Sequence, residues 1–200
     1  MRPTWTNPVR PDARRGFTLI ELLIVIGVLG ILITLGVLGF GRISTQNKQK
    51  ATYTTLANCA SLLKEFAAQA NVNTFGNATL SATSFGFVTA DNPGGRDAAA
   101  NESRNRFFNA AWQIPALRKS LENFPQDQRL VSSVPGAAFV PTDAWNNPIL
   151  FVPAGGLTDV RIDGASRTIT APDGRPFFVS AGADGNFITG DDNVYSFEAP

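Results

Sequence analysis

The chain of 200 residues contains no histidine and one cysteine, Cys59. Without an imidazole there is no Ser-His-Asp or Cys-His catalytic pair and no histidine-based metal centre. A single cysteine excludes an internal disulfide and a four-cysteine zinc site. Charge is scarce as well: charged residues make up 16%, against roughly 25% in an average soluble domain. Lys and Arg number 17 and Asp and Glu 16, a formal net charge of +1, so the basic excess typical of nucleic-acid binding is missing. These gaps disfavour an enzyme and a nucleic-acid partner. What is present is a hydrophobic fraction of 44%, spread very unevenly along the chain.

Residues 1–16 (MRPTWTNPVRPDARRG) carry Arg2, Arg10, Arg14 and Arg15 against Asp12 alone, and Pro3, Pro8 and Pro11 oppose a helix. The text then changes to FTLIELLIVIGVLGILITLGVLGF, from Phe17 to Phe40. As a helix this run reaches roughly 36 Å, enough for a ~30 Å hydrocarbon core. It is too long for the apolar region of a cleaved secretory signal, and no small-x-small cleavage site follows it. A plain signal anchor remains as the simpler reading, with the arginines favouring a cytoplasmic N-terminus. Glu21 is the one charge inside the run, where a carboxylate costs about 2.5 kcal/mol or more near mid-bilayer. A residue that expensive implies a partner, and a free α-amino group on Phe17, made by a cut after Gly16, would be one.

RRGFTLIELLIVIGVLGIL resembles the class III signal of type IV prepilins and type II secretion pseudopilins. The resemblance implies that a membrane prepilin peptidase cuts between Gly16 and Phe17 and methylates Phe17. It also implies that Glu21 pairs with a neighbouring subunit's N-terminus and sets the axial stagger of a self-associating helical filament. Minor pseudopilins and an inner-membrane assembly platform would be further partners. The expected location is the bacterial inner membrane, single-pass, with a periplasmic C-terminal domain that later joins a periplasmic filament. Where many members carry a proline near the twenty-second mature position, this chain has Leu38, among Gly36, Gly39 and Gly41. Those glycines weaken a helix by up to about 1 kcal/mol each; they would also allow close helix packing. Removing the leader takes away four of the 17 basic residues and one of the 16 acids, leaving side chains at −2.

From Arg42 to about Asn71 there is neither proline nor glycine. Tyr53, Leu56, Ala60, Leu63, Ala67 and Ala70 recur at helical spacing, with Cys59, Leu62 and Phe66 widening the stripe. This predicts the soluble half of one long N-terminal helix, with Cys59 as a buried small hydrophobe. Residues 72–130 read as a variable loop and helical region, with one short strand around Phe85 to Thr89. Asp97 is a candidate cap for a helix through AAANESRNRFFNAAW, and Pro115 a candidate start for ALRKSLENF. Arg96, Arg104, Arg106, Arg118 and Lys119 make this region basic, as solvated helix faces or as a patch for an acidic partner. Asn77-Ala78-Thr79 and Asn101-Glu102-Ser103 match glycosylation acceptors, without meaning in a prokaryote.

From Val131 short apolar runs alternate with turns: ILFVPA, TDVRI, RTITA, PFFVSA and NVYSFE. This predicts an antiparallel sheet of three to five short strands. DAWNNPILFV (Asp143 to Val152) resembles the Asp-x-Trp-Gly-Asn-Pro strand entry of major pseudopilins of the general secretion pathway G type. Asn146 stands for the usual glycine and is the next best residue for a left-handed turn; Trp145 is expected to pack in the core or between helix and sheet rather than to serve as a binding platform. In SAGADGNFITGDDNVYSF, Asp184, Asp191 and Asp192 crowd together, and no lysine or arginine follows Arg175. A hard cation with oxygen ligands would relieve their repulsion, and the segment is not an EF-hand. It resembles the calcium loop of the G-type pseudopilins. That implies side-chain ligands from Asp184, Asp191 and Asp192, with carbonyls near Ala181 and Thr189. The family's paired glycines in mid-loop are Phe187 and Ile188 here; solvated turns are the plainer reading.

The expected fold is therefore α+β and pilin-like: a long N-terminal helix, its first half transmembrane, packed on a small C-terminal antiparallel sheet. The expected division is a leader (1–16), a transmembrane assembly helix (17–41), its soluble half (42–71), the variable region (72–130) and the sheet with its acidic loop (131–200). The expected function is that of a structural subunit of a type II secretion pseudopilus, stabilised by calcium. A type IV pilin of an adhesion, motility or DNA-uptake pilus, and a tethered binding module that never polymerises, remain the alternatives.

Overall fold

The computed structural model describes residues 18–69 and 92–198, the side chains of 35–43 excepted. Gly16, Phe17, Ala70 and the expected strand at 85–89 lie outside the described residues. Two compact units meet between Ser44 and Thr45.

In the first unit the described backbone is the start of helix α1 (Leu19–Gln69). Its large apolar side chains from Leu19 to Ile33 are all exposed, from 47% at Val25 to 82% at Leu19. Among the described residues no helix is long and apolar enough to cross a membrane. The helix expected over 17–40 is present from Leu19, while Phe17 and the side chains of 35–40 fall outside the description.

In the second unit the remainder of α1 buries one stripe. Leu56, Cys59, Leu62, Leu63, Phe66 and Ala67 are at most 8% exposed, as their spacing predicts. Cys59 is fully buried, and desolvation pushes its thiol pKa up. The helical region comprises α2 (Arg96–Ser103), a π-helical turn (Arg104–Phe108), α3 (Asn109–Trp112) and α4 (Pro115–Glu122). Asp97 does not cap α2: the cap position is Gly95, and Asp97 lies in the first turn, where its charge suits the helix dipole. Pro115 opens α4 as expected, at the position where a missing N–H costs nothing.

Seven short strands follow: β1 (Arg129–Leu130), β2 (Val140–Pro141), β3 (Leu150–Val152), β4 (Leu157–Ile162), β5 (Ala165–Ile169), β6 (Phe177–Ser180) and β7 (Val194–Tyr195). They form three small antiparallel sheets, β1-β2, β3-β6-β7 and β4-β5, in place of the single sheet expected. Strands this short, interrupted by Pro148, Pro153 and Pro176, leave little ladder to merge.

The β3-β6-β7 sheet is covered on both faces, and strand alternation sorts its side chains. Ile149, Phe151, Phe178 and Val194 join the core under α1 and the helical region. Leu150, Val152, Phe177, Val179 and Tyr195 join a second core with Leu157, Val160 and Phe187. Phe107, from the π-helical turn, stacks on Phe151 (centroids 5.2 Å, interplanar 15°) and meets Phe178 edge-on at 5.3 Å. Such pairs contribute about 0.5–1.5 kcal/mol beyond their buried area. Ser103 closes the edge of β3, donating its hydroxyl to the Ile149 carbonyl (2.8 Å) and accepting the Phe151 N–H (3.0 Å).

Candidate functional site

At the start of α1, Thr18 and Glu21 form a capping box. The Glu21 carboxylate accepts the Thr18 N–H at 2.9 Å and the Thr18 hydroxyl at 3.0 Å, and the Glu21 N–H reaches the Thr18 oxygen at 3.3 Å. The T-x-x-E spacing explains why the helix begins here. The carboxylate is exposed beside Leu22 and Leu23, in apolar surroundings with no basic side chain bonded to it among the described residues. An ammonium group presented from outside would find a fixed, oriented acceptor.

The second feature lies around the strand entry before β3. Asp143 is 2% exposed. Its Oδ1 accepts the backbone N–H groups of Trp145 and Asn147, both at 2.8 Å, and its Oδ2 accepts the Ser180 hydroxyl at 2.6 Å. Ser180 Oγ in turn accepts the Gly182 N–H (3.1 Å), while Asn147 Nδ2 donates to the Gly182 carbonyl (2.8 Å). The residue between is Asn146 at φ 68°, the left-handed turn expected where glycine would otherwise stand. Burial pushes the Asp143 carboxyl above the ordinary carboxylate range, against the lowering effect of these bonds. This clasp joins the strand entry to the loop after β6. Its first residue is visible in the Asp-x-Trp-x-Asn-Pro text, but that text does not reveal the partner, Ser180. Trp145, expected in the core or between helix and sheet, is half-buried and outside both apolar clusters.

The acidic loop closes on itself. Asp184 Oδ1 accepts the Asn186 N–H (2.8 Å) and Asn186 Oδ1 the Ile188 N–H (3.0 Å), two successive side-chain turns. The Thr189 hydroxyl bonds to Asp184 Oδ2, and Asp192 Oδ2 accepts the Asp184 N–H at 3.0 Å. The structure therefore brings Asp184, Thr189 and Asp192 together, Thr189 through its hydroxyl. Asp191 is exposed and in no described bond with them; Ala181 is buried beside the clasp. Phe187 packs into the second core. Among the described residues, no group of three His, Cys, Asp or Glu side chains is arranged to hold a metal.

The family model described as the prokaryotic N-terminal methylation motif matches residues 12–37. This stretch, 26 of the 200 residues, is similar to a methylation leader. The matched stretch contains Gly16, Phe17 and Glu21. It supports a type IV pilin-like or pseudopilin subunit, and such a leader implies prepilin-peptidase processing and pilus or filament assembly in general. No curated protein and no solved structure matches the chain. The α+β architecture, a long N-terminal helix followed by small antiparallel sheets, agrees with that assignment.

Proposed function

We propose that the chain is a structural subunit of a type II secretion pseudopilus of the G type. The observation that carries this reading is the methylation motif at 12–37, which encloses a Gly16-Phe17 cut and Glu21. The G-type assignment draws support from the Asp143-x-Trp145-x-Asn147-Pro148 entry with its left-handed Asn146. Cleavage creates the Phe17 amine. The apolar start of α1 holds the subunit in the inner membrane, with the second unit on the periplasmic side. On assembly, Glu21 exchanges the Thr18 donors for the amine of an adjacent subunit. Neutralising two charges in a medium of low polarity offsets the cost of placing either one there. Calcium is the remaining part of the reading. Asp184, Asp191 and Asp192 would hold it with carbonyls of Ala181 and Thr189, and these oxygens fit a hard cation in kind. In the present arrangement the Thr189 hydroxyl and loop N–H groups occupy Asp184 and Asp192. A bound cation would add electrostatic closure to a loop already closed by hydrogen bonds.

The test is mass spectrometry of the membrane fraction combined with filament cross-linking. Wild type should yield N-methylated Phe17 at the mature terminus. Glu21→Ala should be processed but yield no cross-linked multimers. Normal filaments from Glu21→Ala would sink the assembly mechanism, and an uncut leader would leave a tethered module.

A further inference from the structure

Arg104 opens the π-helical turn at the end of α2 and is 6% exposed. Its Nε–H donates to the Ala138 carbonyl (2.8 Å) and Nη1 to Asn101 Oδ1 (2.7 Å). A guanidinium has five N–H donors, so the described bonds leave donors to spare. Among the described residues no carboxylate is paired with it, and the two ion pairs present are Arg106–Glu102 and Arg175–Asp173. Two other cations nearby are engaged differently: Arg118 lies over the Trp112 ring and Arg129 over Phe139. Burial lowers the Arg104 pKa, as expected of a guanidinium held away from water whose described partners are neutral. Such a charge is costly unless an anion meets it.

A cavity of about 320 Å³ adjoins this group, lined by Asp97, Asn101, Arg104, Val131, Ser132 and Ser133 among others. Isolated π-turns inside α-helices occur frequently at functional sites, because the extra residue re-aims a side chain. Here the turn starts at the residue whose charge is unmatched.

We propose that this cavity is a receptor for a carboxylate group, with Arg104 as its anchoring cation and Asn101 and the serine loop as its polar rim. Fork-like pairing of a guanidinium with a carboxylate supplies both the countercharge and two of the spare donors' acceptors. Asp97, two turns earlier on the same helix face and lining the same cavity, repels a second charge and so favours a single carboxylate over a phosphate dianion. This site stands independently of the pseudopilin reading and would exist in a subunit of any assembly. The carboxylate can come from a free organic acid or from an acidic side chain of a second copy, whose chain after Arg175 contains acids and no base.

The experiment is thermal unfolding of the full-length protein in detergent micelles, with sodium acetate exchanged for sodium chloride at constant ionic strength. Acetate at ten times its dissociation constant should raise Tm by about 3–5 °C in the wild type. Arg104→Met should lose that response. Because this variant removes a buried group and can fail to fold, Ser133→Asp supplies a second arm at an exposed position of the cavity wall. A tethered carboxylate there should raise Tm in chloride and abolish the acetate response. Acetate that also lowers the yield of dimers on subsequent cross-linking in the micelle assigns the natural carboxylate to a second copy; binding with unchanged self-association assigns it to a free acid. A wild type indifferent to acetate, or a Ser133→Asp protein with lowered Tm and an intact response, overturns the proposal. So does a response that appears only after Asp97→Asn, since Asp97, which lines the same cavity, would then be the counterion.

Discussion

Asp143 offers a clean separation between a hydrogen-bonding role and a charge role. Replacing it with alanine removes the acceptor of three bonds at once: Trp145 N–H, Asn147 N–H and Ser180 Oγ–H. Ser180 is fully buried, whereas Trp145 and Asn147 are half-buried and accessible to water in part. A buried unsatisfied group costs about 1–3 kcal/mol. Counting Ser180 in full and the two amides at the lower end gives a loss of about 3–5 kcal/mol for Asp143→Ala. That is a large fraction of a typical stability of roughly 5–15 kcal/mol. Asparagine behaves differently. Its carbonyl oxygen can accept both amides and its NH₂ can donate to Ser180 Oγ, while no charge is buried; the Ser180 hydroxyl hydrogen alone loses its acceptor. Asp143→Asn should therefore cost about 1–2 kcal/mol, less than Asp143→Ala.

The pH dependence follows from the direction of the shift. Burial raises the Asp143 pKa in the folded state above its unfolded value. The native state then binds a proton more tightly than the unfolded chain, so this residue's contribution to stability falls as pH rises from the ordinary carboxylate range through the raised value. Asparagine has no such term. Denaturant unfolding of wild type, Asp143→Asn and Asp143→Ala from pH 4 to pH 7 reads both effects. The difference between wild type and Asp143→Asn should move in favour of the variant as pH rises. If Asp143→Asn is as damaged as Asp143→Ala, or if wild type gains on it with rising pH, the charge is stabilising and the burial argument fails.

Two glycines test the acidic loop. Gly182 has φ 64°, and a Cβ built on it would collide with the Asp192 carbonyl and lie 2.8 Å from its carboxylate; Gly164 has φ 79° with open space around it. Gly164→Ala should cost about 1–2 kcal/mol from the left-handed backbone alone, and Gly182→Ala clearly more, as read by urea midpoints. Equal losses would show that the loop yields freely. For calcium, Tm in millimolar calcium should exceed that in chelator by about 5–10 °C if the ion is present at a hundred times its dissociation constant. Coincident melting curves would reject the metal and leave the hydrogen-bonded loop sufficient.

The elements set by local pattern were legible in the sequence. The stripe from Leu56 to Ala67 is the buried face of α1, and each of the five apolar runs after Ile149 contains or overlaps a strand, β3 to β7. Turn chemistry was legible too: Asn146 is left-handed as its place in the strand entry demands. What the text does not show is set by distant partners. Ser180 meets Asp143 across 37 positions, and Ser103 reaches β3 across 46. A serine has no periodicity to mark it, so its role appears only when the sheet is assembled. The two-residue pairing of β1 with β2 is likewise too short to read. The cap expected at Asp97 moved to Gly95 because the chain enters α2 at Gly95 with extended backbone, and Asp97 then falls inside the first turn.

The contrast between the two stretches of α1 constrains the function most. From residue 53 onward, polar positions alternate with the buried stripe, and one face is enough. From Leu19 to Ile33 twelve large aliphatic side chains point in every direction and all are exposed. Full burial of such a side chain is worth about 1.5–3 kcal/mol. Taking roughly half of the lower value for groups already about half covered by their own helix, the stretch forgoes on the order of 10 kcal/mol in water. That matches the whole folding stability of an ordinary domain. A helix apolar all round must therefore lie in hydrocarbon or among other helices. In the proposed cycle it has both, first lipid and then neighbouring copies of itself. The transfer between them is close to neutral for the aliphatic side chains, since lipid tails are as apolar as leucine. The step that favours the filament must then come from groups that lipid cannot satisfy. In this stretch Glu21 is the one such charge, which is why a single substitution there should abolish assembly while leaving the folded unit untouched.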